Sequence, residues 1–249
     1  MYPYEIIGDI DLYTILFALG IVAALAVYRI CADKVQINAR LYNLTLICAL
    51  LAVFGGYFSS IAVQAIYNIP SRGAFVIDGD TGSTFAGGLV GGASVFIAVY
   101  FIAGRKLGAK KEFNKICDCA ACAIPAAHSF GRIGCLMAGC CYGARTDAFY
   151  GIHMANLGYK VVPTQLFEAI FLALLCTVMI IMLNKKKRAL LGIYMMSYGI
   201  FRFFIEFLRD DYRGKLIVDF LSPSQIVSVL LLIGGAVFFA ISSRRHKNA

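Results

Sequence analysis

Apolar residues in this chain run in long, nearly unbroken stretches rather than in the stripes of a water-soluble fold. A helix needs about 20 mainly apolar residues to cross a hydrocarbon core about 30 Å thick, because each residue adds about 1.5 Å. Seven stretches meet or approach that length: Leu12 to Tyr28, Leu41 to Ile66, Thr84 to Ala103, Cys117 to Met137, Pro163 to Leu183, Ala189 to Leu208 and Pro223 to Ser242. Pro125, His128, Gly131, Arg132 and Gly134 interrupt the fourth, which predicts a broken or re-entrant segment there. The pattern therefore predicts an all-α integral membrane protein, one polytopic domain over residues 1–249 with seven transmembrane helices.

Composition agrees: of 249 residues 60% are hydrophobic and 15% charged, with a mean hydropathy of +0.77, outside the range of an ordinary soluble domain. The first 13 residues carry Glu5, Asp9 and Asp11 without a Lys or Arg, which argues against a cleavable signal. A net charge of +9 could suggest a nucleic-acid partner. The basic residues instead fall in short clusters between apolar runs, as expected of a protein oriented in a lipid bilayer, so no nucleic acid is expected.

Those clusters predict an orientation. Arg29, Lys34 and Arg40, then Arg105, Lys106, Lys110, Lys111 and Lys115, then Lys185 to Arg188, then Arg244, Arg245 and Lys247 give 15 basic residues in one alternating set of connections. The other set holds six: Arg72, Arg145, Lys160, Arg209, Arg213 and Lys215. The larger set belongs in the cytoplasm, which puts the N-terminus outside and the C-terminus inside.

Of 23 basic residues, only Arg132 and Arg202 are left within the spans. A guanidinium at a helix centre costs at least about 2.5 to 3.5 kcal/mol, so each needs an anionic partner or substrate. Glu168 and Glu206 are the intramembrane acids available. Counting from the span ends places Arg132, Arg202 and Glu168 each roughly 20 Å above the cytoplasmic side, within a turn of one another. Tyr198, Arg202, Glu206 and Arg209 are spaced 4, 4 and 3 apart and share one helix stripe. An Arg202 to Glu206 ion pair would explain that stripe by itself. With Arg132 read as unpaired, two or three guanidiniums in the outer leaflet point instead to the phosphate of a lipid headgroup, which Arg grips bidentately.

Gly87, Gly88, Gly91 and Gly92 have the spacing of close helix packing, with a second reading in which bare backbone lets a substrate approach. Cys117, Cys119 and Cys122 resemble a metal motif, followed by Cys135, Cys140 and Cys141. A continuous helix would hold the two trios about 27 to 30 Å apart, which excludes one six-cysteine site. The outer trio reads as packing residues, with Cys140 and Cys141 open to oxidation, lipid modification or a thiol or metal site. His128, four residues before Arg132, shares its face.

These residues carry a resemblance. His128-Ser-Phe-Gly-Arg-Ile-Gly-Cys-Leu-Met-Ala-Gly-Cys-Cys-Tyr-Gly143 resembles the signature of the bacterial prolipoprotein diacylglyceryl transferases, G-R-x-G-N-F-x-N-G-E-x-x-G. Phe85 to Gly92 is similar to that family's H-G-G-L-I-G block, Pro163 to Glu168 to its P-S/T-Q-L-Y-E block, and Tyr198 to Arg209 to its Y-G-x-x-R-F-x-x-E-x-x-R block, in the family's order. The resemblance covers most of the chain from about residue 10 to 240, with a weaker match at Ser224, Gln225 and Ile226.

The resemblance implies an enzyme of the bacterial cytoplasmic membrane. It would transfer the diacylglyceryl group of phosphatidylglycerol to the lipobox cysteine thiol of a preprolipoprotein, forming a thioether and releasing glycerol 1-phosphate. Carried over by position, Arg132 holds the headgroup and Arg202 is the second essential arginine, with Tyr198, Glu206 and His128 in the catalytic group. Gly131, Gly134, Gly143, Gln165, Glu168, Arg209, Gly87 and Gly88 line the substrate site, and no metal or cofactor is expected. The chain departs from the pattern at Ala86, where the family has a histidine, and at Cys135, Ala138 and Cys140, where it has two asparagines and a glutamate. Ala86 cannot act as a base, so His128 or Glu206 replaces it, or the thiol ionises without one, or the activity differs. Two alternatives remain open: a phosphatidylglycerol-dependent transferase with another acceptor, and a non-catalytic lipid-binding or transport protein.

Overall fold

The computed structural model describes residues 5–7, 10–154, 157–209 and 222–247. Arg213 and Lys215, used in the orientation count, lie outside them. Among the described residues the chain is all-helical apart from two short hairpins, with seven helices: α1 (Leu12–Lys34), α2 (Ala39–Arg72), α3 (Phe85–Ala103), α4 (Ala109–Ala138), α5 (Thr164–Asn184), α6 (Leu190–Ile205, prolonged by a 3-10 turn at Glu206–Leu208) and α7 (Pro223–Lys247). The hairpins pair β1 (Glu5–Ile7) with β2 (Ile10–Asp11) and β3 (Ile152–Met154) with β4 (Tyr159–Val161), both antiparallel. Six helices are long and apolar enough to cross a membrane, and α4 is not among them.

The fourth segment departs from expectation. It is neither broken nor re-entrant but one helix of 30 residues that contains Pro125 and starts eight residues earlier than the apolar run. Its polar residues are accommodated by neighbouring helices. Two compact units divide the chain, one of residues 36–116 and one of residues 1–35 with 117–249, and each is described by itself.

In the first unit, α2 and α3 meet through small residues. A side chain added at Gly56 would stand 2.9 Å from the Gly88 carbonyl, and one at Gly92 3.0 Å from that of Ala52. Such close backbone approach is what drives helix association where lipid is already apolar. Tyr100 stands in a core of Leu41, Cys48, Ala109 and Ile116 and donates its hydroxyl to the Ala109 carbonyl at 2.9 Å. Beyond α2, Arg72 lies 2.6 Å from Asp78, and this contact holds the Asp78 carboxyl below the ordinary carboxylate range.

In the second unit, α4 is the hub. α1 runs against it with Gly20 on Ala127 and Tyr13 on Gly134. α5 is antiparallel to it, joined by Ser129 Oγ to the Ala169 carbonyl at 2.9 Å and Cys176 Sγ to the Cys122 carbonyl at 3.3 Å. α6 runs parallel to it, pinned where Asp118 Oδ1 accepts from the Leu190 amide at 2.8 Å. α7 returns along α6, where a side chain at Gly192 would meet the Gly235 carbonyl at 2.7 Å and one at Gly199 the Ser228 carbonyl at 2.8 Å. The buried face of α5 is a helical stripe of Gln165, Glu168, Leu172, Cys176, Met179 and Leu183, so a carboxylate sits in line with core leucines.

Candidate functional site

That carboxylate is the centre of the site. Glu168 is fully buried and accepts a hydrogen bond from Tyr198 Oη to Oε1 at 2.7 Å. Arg132 Nε lies 3.0 Å from Oε2, an ion pair without the alignment of a hydrogen bond. His128 Nε2 stands 3.8 Å from Oε1, its ring edge-on to Tyr198 at 5.1 Å between centroids. Antiparallel α5 and parallel α6 bring these groups to one level of α4, because His128 and Arg132 are one turn apart on α4 and Tyr198 and Arg202 one turn apart on α6. Arg132 is thus not the unpaired cation assumed from the sequence. It is paired across 36 positions of chain, which no local spacing reveals.

A second ion pair lies one turn further along α6. Arg202 Nη2 is 2.8 Å from Glu206 Oε2, and both side chains are buried. Arg209 Nε approaches the same oxygen at 3.9 Å. Two serines of the α7 start complete the group: Ser224 Oγ accepts from Arg202 Nη2 at 3.1 Å, and Ser222 Oγ donates to Glu206 Oε1 at 2.9 Å. Arg202 Nη1 is buried with no hydrogen-bond partner among the described residues. A buried guanidinium donor left over beside its paired carboxylate is suited to an added anion, since orphaned charged donors are costly.

Ser222 and Ser224 were not read as site residues from the sequence, although a signal is present. Ser222-Pro-Ser-Gln225 is a capping box, in which the Ser222 amide donates to Gln225 Oε1 at 2.9 Å and Ser222 Oγ accepts from the Gln225 amide at 3.2 Å. The box fixes the serine that orients Glu206.

The remaining expected residues divide by what surrounds them. Gln165 is fully buried and donates to the Cys140 carbonyl, while its Oε1 has no hydrogen-bond partner among the described residues. Gly143 has no room for a side chain, which would strike the Leu208 carbonyl, Thr164 and Val162. Gly134 is the seat of Tyr13. Gly131, one residue before Arg132, faces open space. Gly87 and Gly88 belong to the other unit, where a side chain at Gly87 would stand 2.8 Å from Val63 and one at Gly88 3.5 Å from Ser60, which supports the packing reading. The inner cysteines Cys117, Cys119 and Cys122 are buried near Cys31 and Cys176, and continuous α4 separates them from Cys135.

Two basic and two acidic residues largely buried on three helices are a costly arrangement that folding alone does not require. Replacing such pairs by apolar residues often leaves stability unchanged or raised. Preorganised cations in a water-poor site are instead well suited to stabilising charge that develops on a departing phosphate.

Comparison with known proteins agrees with this geometry. Residues 4–241 match the profile of the family described as prolipoprotein diacylglyceryl transferase. A phosphatidylglycerol–prolipoprotein diacylglyceryl transferase 2 of Clostridium perfringens is 33% identical over 98% of this chain and 95% of its own length. Its counterpart from Clostridium tetani is 31% identical over 94% of each chain, and one from Francisella tularensis subsp. novicida is 32% identical over 83% of this chain and 78% of its own. With its described residues gathering the two arginines and two glutamates of the motif blocks into one buried group, the chain belongs to the prolipoprotein diacylglyceryl transferase family.

Proposed function

We propose that the protein transfers the diacylglyceryl group of phosphatidylglycerol to the cysteine thiol of a prolipoprotein. The observation that carries this reading is the buried group of Arg132, Arg202, Glu168 and Glu206, in a chain matched along 98% of its length by a relative named for that reaction. In the proposed reaction the acceptor thiolate attacks the glycerol carbon. A carbon–sulfur bond forms, the carbon–oxygen bond to phosphate breaks, and glycerol 1-phosphate leaves with the electron pair.

In this reading Arg132 takes the phosphate of the lipid headgroup while Glu168 and Tyr198 hold its guanidinium in place. Arg202, with its unpartnered Nη1, meets charge that grows on the leaving oxygens, and Glu206, Ser222 and Ser224 aim it. Open space at Gly131 suits a lipid passing beside Arg132. His128 accompanies Glu168 as a candidate proton acceptor. The six long apolar helices, together with α4 counted as a seventh span, support a multi-pass protein of the bacterial cytoplasmic membrane. The bias of basic residues supports an outside N-terminus and a cytoplasmic C-terminus. The family match runs through both compact units, which supports one polytopic domain.

Incubation of the purified protein with labelled phosphatidylglycerol and a lipobox peptide tests the proposal. Thioether-linked diacylglyceryl peptide is expected, and no product beside an active control enzyme overturns it. The same assay with other thiol acceptors separates lipoprotein modification from a related transfer.

A further inference from the structure

The thiols of Cys135, Cys140 and Cys141 all lie within 4.8 Å of one another. Backbone geometry holds them there. The end of α4 closes in a Schellman turn, with Gly139 at a φ of 71°, the Gly139 amide donating to the Leu136 carbonyl at 3.2 Å and the Cys140 amide to the Cys135 carbonyl at 3.1 Å. This folds Cys140 back over Cys135. Cys141 then takes a φ of 62°, a left-handed conformation that is uncommon for any residue other than glycine. The start of α5 fixes the segment, since Gln165 donates to the Cys140 carbonyl and Thr164 Oγ1 to the Cys141 carbonyl at 2.9 Å. Among the described residues none of the three is joined in a disulfide, and Cys140 is exposed whereas Cys135 and Cys141 are half-buried.

We propose that Cys135, Cys140 and Cys141 form a three-thiolate site for a thiophilic d10 cation, represented by Zn2+, with its fourth position open to an incoming thiol. Three sulfurs with no carboxylate or imidazole in the group select a soft ion over calcium or magnesium. Zinc–sulfur bonds of about 2.3 Å require sulfurs about 3.8 Å apart, so the thiols need to close by an ångström or less. Three protein ligands and an open position are the arrangement of a reactive rather than a purely structural zinc. Three thiolates around Zn2+ carry one net negative charge, one turn along α4 from the Arg132–Glu168 pair.

The open position gives the site its chemistry. A thiol that binds Zn2+ is deprotonated outright, releasing its proton to solvent. An acceptor cysteine held there arrives as a thiolate one helical turn from Arg132, ready to attack the glycerol carbon while the phosphate leaves with the carbon–oxygen electron pair. This last step rests on the proposed function, whereas the metal site does not.

The full chain, reduced in detergent and loaded with Co2+, tests both parts. One cobalt per chain is expected, with sulfur-to-cobalt charge-transfer absorption that falls by about one third in each of Cys135→Ser, Cys140→Ser and Cys141→Ser, as for three equivalent ligands. Equal cobalt absorption in the triple serine variant overturns the site, and so does a wild-type spectrum without charge-transfer bands. A disulfide within the trio that persists under the loading conditions, seen by mass spectrometry, also overturns it. Adding a lipobox peptide should raise the charge-transfer absorption when it carries cysteine and leave it unchanged when it carries serine. Unchanged absorption with both peptides, or undiminished turnover by metal-free protein, overturns the open position. A three-thiolate spectrum without any thioether product retains the site and overturns the proposed function instead.

Discussion

Arg132 and Tyr198 reach the buried carboxylate of Glu168 from its two oxygens, the guanidinium at 3.0 Å from Oε2 and the phenol at 2.7 Å from Oε1. One acid on α5 thereby sets the position of a cation on α4 and of the α6 stripe that carries Arg202. The two contacts are one unit, and their removal will not be additive.

Glu168→Ala leaves Arg132 buried without its counter-ion and should lower stability by about 3 to 5 kcal/mol. Tyr198→Phe removes one hydrogen bond to a charged group and should cost about 1.5 to 3 kcal/mol. Thermal unfolding in detergent of the two single variants and the double variant should give a coupling of about 0.5 to 3 kcal/mol, and strict additivity would contradict the shared-acceptor arrangement.

Arg202→Lys keeps a positive charge but loses the fork that serves Glu206, Ser224 and an added anion together. Turnover of a lipobox peptide should fall at least about tenfold, which is about 1.4 kcal/mol of transition-state stabilisation. Melting should move far less than for Glu168→Ala. Full activity in the lysine variant would remove Arg202 from the reaction.

Ser222→Ala breaks two contacts at once, the cap on α7 and the hydrogen bond to Glu206. The cap alone is worth about 1 kcal/mol. Ser222→Thr keeps the hydroxyl, so it should restore both stability and turnover. If alanine and threonine variants behave alike, the serine is only a spacer.

Gly131 and Gly143 should respond in opposite ways. Gly131→Ala adds a methyl in open space and should leave the melting temperature unchanged, whereas Gly143→Ala drives a methyl into the Leu208 carbonyl and should unfold the protein earlier. Gly131→Leu is then the informative variant: an unchanged melt with a raised KM for phosphatidylglycerol places the lipid beside Arg132, and an unchanged KM removes it from there.

Much of the helical order could be read from the sequence because lipid imposes one rule, that backbone polar groups be satisfied within a helix. Apolar length alone therefore located α1, α2, α3, α5, α6 and α7. α4 was misread for the complementary reason. Pro125, Gly131 and Gly134 are breakers in isolation, but the helix that contains them is held by Tyr13 and Gly20 of α1, by Ala169 of α5 and by the Leu190 amide of α6. The Arg202–Glu206 pair was legible because its partners are four residues apart, whereas Arg132–Glu168 depends on how two helices align. Ser222 was legible as a cap and not as a ligand of Glu206, since its second contact reaches across 16 residues.

The ion pairs also have a charge stoichiometry. Three guanidiniums, Arg132, Arg202 and Arg209, meet two carboxylates, Glu168 and Glu206, which leaves a single formal positive charge in the group. A phosphodiester headgroup is a monoanion and brings that group to neutrality. A phosphomonoester product moves toward the dianion, with a second pKa of about 6, and overdraws it by one. If the proposed reaction runs at this constellation, the group that matches the lipid is mismatched to what the lipid becomes, and repulsion from Glu168 and Glu206 would then favour release of the product.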